Sequence, residues 1–238
     1  MKKKPIISVI IPCFNEVRTI GAIVDKINKL KNLNIQIIVV DDCSTDGSLD
    51  FIKKKIINKI DRLVIHKKNL GKGAAIKSAV KFIKGDIVII QDADLEYNPK
   101  DYYKLINPII NLDYKVVYGS RVLNKKRYFS NNFISLFRIF ANHILTIISN
   151  IINKQNLTDA HTCYKVFHKS IFKDLNLTEN DFSFCPEVTT KISNKNIKIL
   201  EIPIKYRGRK YSEGKKIRFK DALKAIYVLF NYKFFNRE

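Results

Sequence analysis

The chain alternates short apolar runs with amphipathic stretches, and that rhythm predicts its elements. Residues 6–11 (Ile-Ile-Ser-Val-Ile-Ile) form the β-branched run expected of a strand buried on both faces. From 17 to 31, Ile20, Ile23, Val24, Ile27 and Leu30 recur at helical spacing and mark one face of a helix. A second strand is expected at Ile35–Val40, a turn at Asp46-Gly47, and a helical stretch from Ser48 to Lys59 through Leu49, Ile52 and Ile56. A third strand, Arg62–His66, leads through Asn69-Leu70-Gly71-Lys72-Gly73 into a helix that runs to Lys84, and a fourth covers 86–91. A further strand at Lys115–Tyr118 ends in Gly119-Ser120-Arg121. This alternation predicts an α/β fold with a doubly wound, mostly parallel sheet flanked by helices.

Beyond Arg121 the pattern changes. Residues 133–152 read as one long, mostly apolar helix interrupted by Arg138, Asn142 and His143, and the loop before it, Lys125-Lys126-Arg127-Tyr128, is basic and aromatic. A C-terminal helix near 219–235 sets Phe219, Leu223, Ile226, Tyr227 and Phe230 against Lys220, Lys224, Lys233 and Arg237. Both amphipathic helices suit a membrane interface with cations toward phosphate headgroups, and both also suit ordinary core packing. No apolar run reaches the roughly 18–20 residues needed to span a bilayer. Lys2, Lys3 and Lys4 before the first apolar run imitate a signal peptide, but Pro12 and Asn15-Glu16 end the imitation with no cleavage site.

Charge narrows the partners. Lys and Arg number 44 against 22 Asp and Glu, a net charge of +22 over 238 residues, which favours a polyanion: nucleic acid, anionic lipid or a nucleoside diphosphate. A lysine-rich coding bias would produce the same excess. The aromatics do not form a single-strand stacking platform and no nucleic-acid module is present, so no nucleic acid is expected. Cys13, Cys43, Cys163 and Cys185 lie far apart without zinc-ligand spacing and read as free thiols in a reducing cytoplasm.

The chemistry concentrates where apolar runs end. Val39-Val40-Asp41-Asp42 and Ile87-Val88-Ile89-Ile90-Gln91-Asp92-Ala93-Asp94 each place carboxylates at the C-terminal edge of a parallel sheet, where open α/β sheets bind ligands. Asp92 and Asp94 would share a face if strand geometry continued, and a divalent cation would relieve their repulsion. Asn69–Gly73 lacks the spacing of known phosphate loops and reads equally well as a glycine-assisted entry into a helix. The segment from Tyr206 to Lys216, with Arg207, Arg209, Lys210, Lys215 and Lys216 among glycines, reads as a cationic loop able to close over a diphosphate, or as an ordinary charged loop.

In order, Ser8–Glu16, Val39–Gly47, Asn69–Ala75, Gln91–Pro99 and Gly119-Ser120-Arg121 closely resemble the motifs of glycosyltransferase family 2, nearest to its dolichol- or polyprenyl-phosphate mannose and glucose synthases. The resemblance runs from Ser8 to Tyr232. It implies a GT-A fold, a single domain over 1–238 with a nucleotide-sugar-binding half (1–122) and an acceptor or membrane-facing half (123–238), and an inverting transfer. Pro12, Phe14, Glu16, Val40, Asp42, Gln91, Asp92 and Ala93 would line the nucleotide-sugar site. Asp92, Asp94 and Glu96 would hold Mg²⁺ or Mn²⁺, Glu96 standing where the mannose synthases carry Gln.

Arg121 would approach the sugar or acceptor phosphate, and Arg209 with Lys215 would grip the diphosphate and acceptor phosphate, completing with Asp94 and Glu187 the catalytic set. Asp159–Lys165 resembles the family's acceptor element, with Cys163 in place of Gly; Phe184-Cys185-Pro186-Glu187 resembles another, with Glu187 bound to sugar or serving as base. The implied reaction moves a hexose from a nucleoside diphosphate sugar, of the UDP-glucose or GDP-mannose class, to a polyprenyl phosphate at the cytoplasmic membrane face. Attachment there would be peripheral, on an anionic surface, or through a membrane-anchoring partner subunit. The alternatives are transfer to a saccharide hydroxyl in envelope polysaccharide synthesis, a silent sugar-nucleotide sensor and a basic nucleic-acid-binding protein.

Overall fold

A computed structural model describes residues 4–124, 133–208 and 219–235, with the side chains of all but 133–138 and 219–221. In chain order the strands are β1 Ile6–Cys13, β2 Asn34–Asp41, β3 Arg62–Ile65, β4 Ile87–Ile90, β5 Val116–Ser120, β6 Lys165–His168 and β7 Leu200–Pro203. The helices are α1 Ile20–Asn28, α2 Ser48–Phe51, α3 Lys72–Ala79, α4 Tyr102–Asn111, α5 Phe133–Asn153, α6 Lys169–Asp174, α7 Phe184–Asn194 and α8 Phe219–Phe230. The predicted 48–59 helix is α-helical only in α2 and continues as a π turn and a 3₁₀ turn; the helix expected to reach Lys84 leaves α geometry at Ala79.

One seven-stranded sheet has the order β3-β2-β1-β4-β6-β5-β7. β1 pairs in parallel with both β2 and β4, so successive crossovers leave it in opposite directions and open a crevice at the strands' C-terminal ends. The sheet is mixed, as β6 runs antiparallel between β4 and β5. At Lys165 this strand carries a charge that no reading of a core strand anticipates. Its ammonium is fully buried, bonds the carbonyls of Ala160 (3.0 Å) and Thr162 (2.6 Å), and lies over the Tyr118 ring, so the cation is solvated by protein. Burial still pushes its pKa down.

The isoleucine and valine runs of β1, β2 and β4 face helices on both sides and join one core that extends from Ile7 to Ile204. Each such side chain contributes about 1.5–3 kcal/mol on burial.

α5 matches its expected span and has an inverted pattern. Thr146, Ser149 and Asn153 are buried, Asn153 bonding Thr190 and accepting from Ser193 of α7. Phe140, Ile144, Ile147 and Ile151 are exposed, Ile151 at 73%. α8 packs against α5 and α7, buries Ala225, Val228 and Leu229, and exposes Leu223, Tyr227 and Phe230. Among the described residues no helix is long and apolar enough to cross a membrane.

Candidate active site

The loops after β1 and β2 start level, because Pro12 pairs with Val40 and Cys13 with Asp41. They are then stitched together. The Asn15 amide donates to Ser44 Oγ at 3.0 Å and Asn15 Oδ1 accepts from the Thr45 amide at 2.8 Å, with Asn15 in the left-handed region at φ 56°. Burial would raise the Asp46 pKa, but the Ser48 hydroxyl and the Val17 and Ser48 amides donate to its carboxylate and hold it below the usual range. Pro12, Phe14 and Glu16 thus reach the crevice edge half-buried, while Val40 is sealed in the core.

Asp41 and Asp42 are both buried. Asp41 takes the Ser44 amide on Oδ2, and its Oδ1 has no hydrogen-bond partner, an orphan acceptor of the kind a polar ligand group satisfies. Asp42 turns toward its own protein: Oδ1 accepts from His66 Nδ1 (2.7 Å) and the Leu70 amide (2.9 Å), and Oδ2 from the Gly71 amide (2.8 Å).

The Asn69–Gly73 loop owes its glycines to protein packing. Gly71 has φ +96°, and a Cβ there would lie 2.5 Å from the Asn180 carbonyl oxygen; at Gly73 it would lie 2.4 Å from that of Glu179. The loop enters α3 pressed against residues 179–181. Between the glycines Lys72 extends to the acidic turn, its Nζ 2.5 Å from Asp92 Oδ1. Burial disfavours its charge, but the Asp92 carboxylate outweighs that and holds the ammonium well above its usual range. Lys72 was missed as a site residue from sequence, and its flanking glycines were the available signal.

β4 ends at Ile90, so the strand alternation expected of Asp92 and Asp94 gives way to bends. Gln91 is fully buried, accepting from Tyr102 and Tyr164 hydroxyls on Oε1 and donating to the Asp92 carbonyl; it supports the turn from beneath. Ala93 is buried beside it. Asp94 accepts the Glu96 amide, and Glu96 accepts the Tyr206 hydroxyl at 2.8 Å and, on its carbonyl, the Arg207 amide. The acidic turn is therefore laced to the start of the basic segment. Arg209 and Lys215, like Lys125–Tyr128, lie outside the described residues.

Arg121 forms a bidentate pair with buried Asp159, at 2.7 and 2.8 Å, and its guanidinium lies 5.2 Å from the Tyr206 ring centre. Burial would raise the Asp159 pKa, but Arg121 holds it below the usual range. Nearby, burial and the Lys165 charge push His161 down to about 4, and its Nε2 is buried without a hydrogen-bond partner. Cys163 donates its amide to the Tyr97 hydroxyl.

Glu187 does not join this group. It has no exposed surface; Oε1 accepts the Thr178 amide and hydroxyl and pairs with Lys191, and Oε2 accepts the Glu179 amide. Its geometry makes it the brace of the 178–181 turn that backs the Lys72 loop.

Among the described residues no three His, Cys, Asp or Glu side chains converge as a metal site. Asp92, Asp94 and Glu96 share one turn, with Asp92 facing Lys72 and Glu96 facing Tyr206. Carboxylates in this arrangement fit a hard cation that takes its remaining ligands from phosphate oxygens.

The glycosyl transferase family 2 profile matches residues 8–175. Over 94% of each chain, the sequence is 30% identical to UDP-N-acetylglucosamine–dolichyl-phosphate N-acetylglucosaminyltransferase of Methanococcus voltae. It is 27% identical to the dolichol-phosphate mannosyltransferase of Pyrococcus furiosus over 95% of this chain and 64% of that one. Its fold is like that of glucosyl-3-phosphoglycerate synthase from Mycobacterium tuberculosis, solved with Mn²⁺, UDP and glucosyl-3-phosphoglycerate: TM-score 0.67, 18% identity, 96% of this chain and 80% of that one. Mannosyl-3-phosphoglycerate synthase from Rubrobacter xylanophilus gives TM-score 0.69 at 16% identity, over 95% and 72%. Motifs, sheet order and acidic crevice agree with this kinship, and the chain belongs to glycosyltransferase family 2, on a GT-A-like fold.

Proposed function

We propose that this protein transfers a sugar, with inversion, from a nucleoside diphosphate sugar to a polyprenyl phosphate at the cytoplasmic face of a membrane. The inverted helix α5 carries the lipid part of the reading: polar Thr146, Ser149 and Asn153 face inward while Phe140, Ile144, Ile147 and Ile151 face out, extended by Leu223, Tyr227 and Phe230 of α8. An exposed apolar surface on a chain of charge +22 suits acyl chains below anionic headgroups. The relatives acting on dolichyl phosphate agree with it.

The donor would lie across the ends of β1, β2 and β4, its nucleoside near Pro12, Phe14, Glu16 and Asp42 and its diphosphate at the Asp92–Glu96 turn. Mg²⁺ or Mn²⁺ bound by Asp94 with Asp92 or Glu96 would supply Lewis acidity at the departing diphosphate. Arg121, fixed by Asp159, presents a charge that cannot deprotonate. A phosphate acceptor is already anionic near neutral pH and needs no base.

A saccharide or other hydroxyl acceptor is the second reading, and the fold likenesses favour it, because phosphoglycerate synthases named for small, soluble acceptors share the architecture. It requires a base, and Glu187, with both oxygens engaged, would first have to leave the 178–181 turn. Radiolabelled UDP-N-acetylglucosamine, UDP-glucose and GDP-mannose, each offered with Mn²⁺ to polyprenyl phosphate in vesicles, to 3-phosphoglycerate and to oligosaccharides, separate the readings. Label entering the organic phase only with polyprenyl phosphate is expected; label confined to a water-soluble product would replace the lipid with a hydroxyl acceptor.

A further inference from the structure

His66 follows β3 and is sealed with Asp42, their side chains 7% and 4% exposed. Its Nε2 lies 2.8 Å from Ser78 Oγ on α3 and its Nδ1 2.7 Å from Asp42 Oδ1. An ionised carboxylate only accepts, so the hydrogen-bond network places a hydrogen on Nδ1, while Nε2 shares a hydrogen bond with the Ser78 hydroxyl. The carboxylate so held takes the amides of Leu70 and Gly71, and the next residue is Lys72, whose ammonium meets Asp92. From the other side the Asn180 carbonyl accepts the Ala74 amide and abuts Gly71, so the loop is gripped on both faces. A continuous chain of bonds thus joins Ser78, His66, Asp42 and the loop backbone to the acidic turn.

We propose that Lys72 is a ligand of the donor's diphosphate and that His66 is the positioning residue that places it, acting through Asp42 and the Leu70-Gly71 backbone. The proposal rests on the nucleotide-sugar reading above. An ammonium has three donors, and the Asp92 bond uses one. A cation seated against Asp92 also offsets the repulsion that this carboxylate would exert on an incoming diphosphate. Side chains spread over four elements converge on one loop, a more elaborate arrangement than an isolated ion pair needs.

Calorimetric titration of the full chain in Mn²⁺ with UDP and UMP, and with GDP and GMP, tests this. If wild-type protein binds none of them, the nucleotide-sugar reading falls and takes the proposal with it. If it binds, Lys72→Gln is expected to weaken the diphosphate about tenfold or more and the monophosphate less than about twofold, the scale of one hydrogen bond to a charge. His66→Ala should give the same selective loss, and almost no further loss in the Lys72→Gln background, since one acts through the other. His66→Asn, which keeps an N–H near Nδ1, should recover most of the affinity. Should His66→Ala melt too low for titration, Ser78→Ala, which removes only the Nε2 partner, is expected to give a smaller loss of the same selectivity. Equal losses for mono- and diphosphate, or additive losses for the two substitutions, would overturn the proposal.

Discussion

Asp94 is expected to be indispensable for transfer yet dispensable for folding. The bond it accepts from the Glu96 amide is worth about 1 kcal/mol, a small share of a domain's stability, so Asp94→Ala should remain folded while sugar transfer falls to background; near-normal turnover in the radiolabel assay would reject its role. Gly73→Ala tests the reverse case, because a methyl 2.4 Å from the Glu179 carbonyl forces backbone to move. The expected cost is about 1–3 kcal/mol in urea unfolding. His161 sets a pH dependence. Its folded pKa, about 4, lies below the ordinary 6.5, so between these values the unfolded chain binds the extra proton and stability falls as pH drops. Between pH 7 and pH 5 this amounts to on the order of 2 kcal/mol, and His161→Gln should remove that part of the slope in denaturant titrations at the two pH values. The acidic positions themselves were legible, since Asp41, Asp42, Asp92 and Asp94 all follow buried runs. Their partners were not: Lys72 meets Asp92 from 20 positions away and Glu187 serves a turn of its own, contacts that only the tertiary fold brings about.

At the scale of elements, hydrophobic runs placed β1 to β5 and the long α5, because strands buried on both faces leave a continuous apolar signature. The signature fails for β6, four residues long and opened by a buried lysine, and for α7, whose buried face includes Glu187, Thr189, Thr190, Lys191 and Ser193. Both elements satisfy polar groups internally, so their sequences look solvent-facing. α5 shows the opposite mismatch, with its polar residues bonded inside and its isoleucines outside. Replacing Ile147 and Ile151 by Asp should therefore leave stability within about 0.5 kcal/mol, as expected of exposed sites. The same pair should abolish flotation with anionic vesicles and leave nucleotide affinity unchanged. Retained flotation would detach the apolar face from membrane binding.

For the whole molecule, the sheet order opens a crevice beside β1 and acidic turns line it, on a chain that is strongly basic as a whole. The charge of +22 predicts that vesicle binding weakens as salt rises, through screening of lysines from anionic headgroups. Fold class and kinship were accessible from ordered motifs, whereas the exposed apolar faces of α5 and α8 were not, because which face of a helix packs inward is decided by the tertiary fold. A nucleoside diphosphate held at the acidic turn is the central requirement for transfer. Calorimetric titration of wild-type and Asp94→Ala protein with UDP and GDP, each with and without Mn²⁺, measures that directly. One nucleotide should bind wild type, tighten on adding Mn²⁺, and lose that metal-dependent gain in Asp94→Ala; identical isotherms for the two proteins, or no binding by either nucleotide, would contradict the account.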